Sequence, residues 1–120
     1  MTYTASDEVE IWFEDTQEEI GEWAEHNFPG DGRVMAVGSV VEESGELMRA
    51  ARKQAQGIRG TYEEWDAEIR KELGDTLIAL FQAAANCKVD LLPVFQDRWM
   101  EVRNRDFQKD QRGHGLPQDD

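Results

Sequence analysis

The stretches Val40-Val41-Glu42-Glu43-Ser44-Gly45-Glu46-Leu47-Met48 and Glu72-Leu73-Gly74-Asp75-Thr76-Leu77 carry one short pattern, Glu-x-Gly-acid, at Glu43 and again at Glu72. In each copy the two acids stand at i and i+3, which on a helix sets both carboxylates on one face, a turn apart. Val40, Val41, Leu47 and Met48 flank the first copy, and Leu73, Leu77 and Leu80 flank the second. Their spacing predicts two helices whose acids are embedded in core-facing surface. Carboxylates facing inward from neighbouring helices repel each other and are costly to desolvate, so something positive must compensate. A hard divalent cation with oxygen ligands does so, and Mg²⁺ characteristically combines few carboxylates with waters and substrate phosphate oxygens. Gly45 and Gly74 sit inside the acidic pairs, although glycine in a helix interior costs roughly 1 kcal/mol relative to alanine. A missing side chain there would let the two backbones approach or let a ligand in. Four solvated acids on two exposed helices form the alternative, which accounts for neither the glycines nor the repeat.

Working outward, the first copy lies in a helix expected from about Val34 to Gln56, stopped by Gly57 and Gly60. The second lies in a helix that begins at Thr61, where Thr61 and Glu64 have capping-box spacing, and continues to about Lys88. Before them, Val9, Trp12, Phe13, Thr16, Ile20 and Trp23 recur at helical spacing behind Ser6, a candidate N-cap, and Pro29-Gly30 ends that helix. After them, Asp90 and Pro93 open a fourth helix carrying Leu92, Phe95, Trp99 and Val102. No stretch alternates with period two. Four helices with short connections imply an all-α bundle with the second and third helices as its long inner pair. Residues 1–110 form the expected domain, and residues 111–120, from Gln111 to Asp120, a loose tail.

The chain has 120 residues, 26 acidic and 13 basic, for a net charge of −13. With 39% apolar residues it has enough to bury for a globular fold despite 32% charge. The sign of the charge argues against binding polymeric nucleic acid or an anionic membrane surface, and any anionic ligand must bring or share a cation. The acids Asp7 through Glu25 and Asp31 precede the first basic residue, Arg33. The bases concentrate at Arg49, Arg52, Lys53 and Arg59, then at Arg98, Arg103, Arg105, Lys109 and Arg112. The single cysteine, Cys87, excludes an internal disulfide and reads as a small buried residue. With no basic-then-apolar leader and no apolar run of membrane length, a soluble cytoplasmic protein is expected. A carboxylate-bridged di-iron bundle needs Glu-x-x-His elements, and the two histidines, His26 and His114, form none. Zinc sites of nitrogen and sulfur ligands are poorly supplied for the same reason. The large surface of Trp12, Phe13, Trp23, Trp65 and Trp99 is more than one short bundle covers, so dimerisation is expected on packing grounds.

Glu-Glu-x-x-Glu followed, after a basic segment, by Glu-x-x-Asp resembles the motif of the MazG-like all-α nucleoside-triphosphate pyrophosphatases, a superfamily that includes dimeric dUTPases, dCTP pyrophosphatases and phosphoribosyl-ATP pyrophosphatase. The resemblance runs from about Val34 to Phe107 through VVEESGELMRAARK, RKELGDTLIALFQAAANCKVDL and RWMEVRNRDF. It implies Mg²⁺-dependent hydrolysis of a nucleoside triphosphate to the monophosphate and pyrophosphate, Mn²⁺ being a substitute, in a nucleotide-housecleaning role. It also implies a homodimer or a dimer of dimers. Glu43, Glu46, Glu72 and Asp75 are the implied metal ligands, and Glu42 is either a further ligand or the group that orients or deprotonates the attacking water. Arg98, Arg103 and Arg105 match the family's basic positions near the phosphates. Arg49 and Lys53 lie one and two turns beyond Glu46, within reach of outer phosphates; the other reading leaves them solvated or paired with Glu42, Glu46 and acids of the first helix. Trp23, Phe28, Trp65 and Trp99 are the candidates to stack on the base, each also a candidate for the core. A catalytically inactive relative that binds a nucleotide or a partner protein is the second functional class, disfavoured by retention of all four carboxylates.

Overall fold

A computed structural model of the protein describes residues 6–109. Four helices occupy them: α1 (Asp7–Asn27), α2 (Arg33–Gln56), α3 (Tyr62–Asn86) and α4 (Leu91–Val102), and the described residues contain no strand. No single helix is long and apolar enough to cross a membrane. The tail from Gln111 to Asp120, with His114 and Arg112, lies outside the described residues.

The helix boundaries follow from local chemistry. Ser6 begins α1, its Oγ accepting the Val9 amide at 3.4 Å. Gly57, in the left-handed region at φ +68°, ends α2, its N–H donating to the Lys53 and Gln54 carbonyls; only glycine adopts that geometry without a Cβ penalty. The Thr61–Glu64 capping box opens α3, both reciprocal bonds being present, which satisfies amides that the first helical turn would otherwise leave without partners. That helix closes at Asn86, short of Lys88, which sits at φ +56°.

Two compact units divide the chain. The larger spans Asp15–Val89 and holds most of α1 with α2 and α3. Its backbone is the α2·α3 pair, packed along the helices' length. The inner face of α2 is Ala36, Glu43 and Ala50, each two turns from the next; that of α3 is Trp65, Glu72 and Ala79 at the same interval. This spacing keeps one stripe facing the partner helix, and alanines at its ends allow close approach. The loop before α2 is tied down by Asn86, whose Nδ2 donates to the Asp31 carbonyl at 3.2 Å. The end of α3 is held to α1 by Gln17, whose Nε2 donates to the Val89 carbonyl at 2.7 Å.

The smaller unit contains the start of α1 and the chain from Asp90 onward. Within it, Leu92 is buried, and Arg98 pairs with Glu101 at 2.6 Å.

Three expectations about packing are corrected. Val41, Met48, Leu73, Leu77 and Leu80 do not face the core; all are exposed in the single chain, while Val40 and Leu47 are half-buried. Each inner helix has two apolar stripes of the same period, and the one with small residues forms the α2·α3 seam. Gly45 and Gly74 do not mark a close backbone approach either, because a Cβ at either position would meet nothing within 4 Å. The close approach is at Gly21 of α1, where a Cβ would lie 3.1 Å from the Ala85 Cβ. Cys87 is half-buried rather than buried, capping the end of α3. Trp65 is covered, at 8% exposure, unlike Trp12, Trp23 and Trp99.

Gly21→Leu should therefore destabilise the protein by about 1–3 kcal/mol, the usual cost of overpacking a tight contact, read as a lower urea midpoint with an unchanged slope. An unchanged midpoint would show that α1 does not press on α3 there.

Candidate metal centre

The repeated acids meet across the α2·α3 seam. Ligand oxygens of Glu43 and Glu46 on α2 and of Glu72 on α3 all lie within 4.8 Å of one another. The helical register dictates this: Glu43 and Glu72 are the central residues of the two inner stripes, and Glu46 follows Glu43 by one turn. Glu72 is 2% exposed, Glu43 half-buried and Glu46 exposed, so the trio runs from the interior to the surface. Asp75, one turn after Glu72, is not within the tight trio but adjoins it, adding its charge at Glu43.

Buried acids that crowd one another should resist ionisation, and Glu43 does. Its carboxyl is held above the ordinary value of 4.5, first by desolvation, then by hydrogen bonding with Glu72 and by the charges of Glu46, Glu72 and Asp75. Two oxygens, Glu43 Oε2 and Glu72 Oε2, are buried without a hydrogen-bond partner, a costly condition for carboxylates. Lys71 pairs with acids of this centre, its Nζ lying 3.3 Å from Glu72 Oε1 and 3.8 Å from Asp75 Oδ2. Its ammonium is held charged to higher pH than usual, chiefly through the Glu72 hydrogen bond. The backbone carbonyl of Glu72 also accepts a bond from Thr76 Oγ1 at 2.6 Å.

Orphaned carboxylate oxygens, several acids and no nitrogen or sulfur donor in the trio are the donor set of a hard divalent cation. These residues fit one: Glu43, Glu46 and Glu72 would hold it, with Asp75 at the margin.

Beside the centre a cleft of about 1140 Å³ opens within the larger unit. Its lining includes Glu42, Glu43 and Asp75 together with Ile20, Trp23, Phe28 and Met35, with Asp31 and Gln82 among its other polar groups. Trp23 and Phe28 meet edge to face, their ring centroids 5.8 Å apart, and each keeps about half its surface exposed.

The other candidates separate cleanly. Glu42 faces the cleft rather than the carboxylate trio. Arg49 is engaged elsewhere, its guanidinium carbon 5.6 Å from the centroid of the Trp65 ring. Lys53 is half-buried near the end of α2. Trp65 belongs to the core, its indole N–H donating to the Ile58 carbonyl at 3.0 Å. In the smaller unit, Arg98 is paired with Glu101, Arg103 Nη1 lies 3.8 Å from Met100 Sδ, and Arg105 is half-buried. Lys71 escapes a reading based on motif spacing. Its only signal is the i, i+4 relation to Asp75, one of many such pairs in a charged helix.

Comparison with known families finds that a model described as the MazG nucleotide pyrophosphohydrolase domain matches residues 35–106, a range that contains all four repeated acids. No curated protein and no solved structure matches the chain.

The proton affinity of Glu43 sets a pH dependence. Unfolded, the carboxyl ionises near 4.5, whereas folded it keeps its proton to higher pH, so metal-free stability should fall as pH rises above about 4.5 through the folded value. In EDTA, Glu43→Gln should flatten this fall and melt higher than wild type at neutral pH, yet gain no stability from Mg²⁺. A variant that melts lower at every pH would show that the Glu43 carboxyl supports the fold.

Proposed function

The chain belongs to the MazG nucleotide pyrophosphohydrolase family, and from that premise we propose that it hydrolyses a nucleoside triphosphate to the monophosphate and pyrophosphate with Mg²⁺, in nucleotide-pool housecleaning in the cytoplasm. The observation that carries the reading is the contact of a cation-seeking carboxylate cluster with a cleft whose remaining wall is largely apolar and aromatic. A nucleotide has the matching polarity, with a multiply charged phosphate chain at one end and a flat base at the other.

In this assignment Glu43, Glu46, Glu72 and Asp75 hold the cation. When bound, such a cation would supply neutralising charge for the phosphates, a more acidic water and stabilisation of charge developing at phosphorus. Glu42 lies on the cleft side of the cluster and is the group assigned to orient the attacking water and accept its proton. That function requires a carboxylate within hydrogen-bond reach of the water. Lys53 is assigned to the outer phosphates, and Arg98, Arg103 and Arg105 are assigned to them on the strength of the family motif. Arg49, whose guanidinium lies over the Trp65 ring, is assigned to the outer phosphates alongside Lys53.

Trp23 and Phe28 form the base end. Each keeps about half its surface exposed, and stacking on such rings is an interaction that tolerates any base because each has a π-face.

Homodimerisation, as a dimer or a dimer of dimers, completes the proposal. Val41 and Met48 of α2 and Leu73 and Leu77 of α3 are all more than half exposed, forming apolar surface of the kind that monomers rarely leave uncovered. Light scattering should therefore give twice the chain mass or four times it at micromolar concentration, and a monomer would contradict this.

Activity is tested by assaying canonical and modified dNTPs for monophosphate and pyrophosphate. Glu46→Gln and Asp75→Asn should each lower turnover on the order of 100-fold or more with unchanged helical content. EDTA should abolish activity, and Mg²⁺ or Mn²⁺ should restore it. Trp23→Ala should raise KM roughly tenfold, the size of one lost stacking contact. Unchanged turnover in either carboxylate variant would overturn the ligand assignment.

A further inference from the structure

Lys71 is the one residue at the carboxylate centre that the proposed reaction leaves without work. It precedes Glu72 in α3, and its ammonium bridges two of the four repeated acids, at 3.3 Å from Glu72 Oε1 and 3.8 Å from Asp75 Oδ2. Its side chain is 62% exposed whereas that of Glu72 is 3% exposed. The charge paired with the most buried acid of the site thus comes from a largely exposed side chain.

We propose that Lys71 is a built-in counter-ion that occupies the charge position of the metal in the metal-free protein and is displaced by the metal. The inference rests on the reading of Glu43, Glu46, Glu72 and Asp75 as a cation site. An ammonium within hydrogen-bond reach of Glu72 and a divalent cation on the same carboxylate compete, because both draw on the same oxygens and repel one another at that distance. Displacement is open, since most of the Lys71 side chain is already exposed to solvent. Lys71 then acts as a positioning residue. It holds Glu72 and Asp75 in place before the metal arrives, lowers the affinity for the metal, and becomes a free cation beside the cleft once displaced.

The counter-ion carries a distinctive signature. A lysine of purely structural importance would affect folding alone, whereas this one affects metal affinity and metal-free stability in opposite directions. Isothermal titration of the full chain with Mn²⁺, and with Mg²⁺, compares wild type, Lys71→Met and Lys71→Arg, with thermal melts in EDTA alongside. Lys71→Met should bind metal roughly fivefold more tightly, as expected for losing two solvent-screened ion pairs, and should melt lower in EDTA. Lys71→Arg, which keeps the charge, should stay near wild type in both.

Metal affinity that is unchanged or weaker in Lys71→Met, with wild type binding normally, would overturn the counter-ion proposal and leave the metal site standing. An absence of metal binding in wild type and variants alike would overturn both.

Discussion

Two acids that face each other inside a helix pair set the terms for this protein. Glu43 and Glu72 occupy the centres of the inner stripes of α2 and α3, where alanines and a tryptophan otherwise do the packing. A pair of leucines would suit stability better, since buried charge is costly even when partnered. Instead two carboxylate oxygens are buried with no partner, and Glu43 holds its proton above the usual carboxylate range. Such strain in a structural helix pair is understandable as stability given up for a site. The remaining features follow from that constraint: acids stepping outward to Glu46 and Asp75, an ammonium drawn in from the surface, and a cleft that begins where the acids end.

The strong negative charge takes on a different meaning here. It opposes direct attraction of a polyanion, yet concentrated on two helices it gathers carboxylates suited to a cation, which in the proposed reading would supply the attraction for phosphate. The acids of α1 serve no such cluster. They are largely solvent-facing, consistent with a role in solubility. Housing the carboxylates on two helices that already pack together gives them a rigid frame, while Trp23 and Phe28 in the cleft wall come from α1 and the loop after it.

Much of this is written plainly in the sequence. The glycine stop at Gly57, the capping box at Thr61 and the helical period of the acids each depend on residues a few positions apart, so local rules suffice. The repeated Glu-x-Gly-acid pattern announces the site because acids with apolar neighbours are unusual. What local rules miss is which of two apolar stripes turns inward. Val41 and Leu77 have the same period as Ala36 and Ala79, and only the fit of two helices selects the smaller residues for the seam. The glycines illustrate the same limit: Gly21, unremarked in the sequence, makes the close contact with Ala85, while Gly45 and Gly74 open onto free space. Lys71 and the engagement of Arg49 by Trp65 are likewise tertiary facts, settled by reach rather than by spacing. Among four candidate aromatic residues, burial singles out Trp65 as core, and a shared cleft pairs Trp23 with Phe28.

The central claim is that the Glu43–Glu46–Glu72 cluster is a cation site. Anomalous diffraction from crystals soaked in Mn²⁺ tests it most directly. A peak is expected between α2 and α3, with carboxylate oxygens of Glu43, Glu46 and Glu72 at about 2.0–2.2 Å, near the short distances of a hard octahedral ion. A peak elsewhere, or none at millimolar Mn²⁺ with the three carboxylates unmoved, would contradict it.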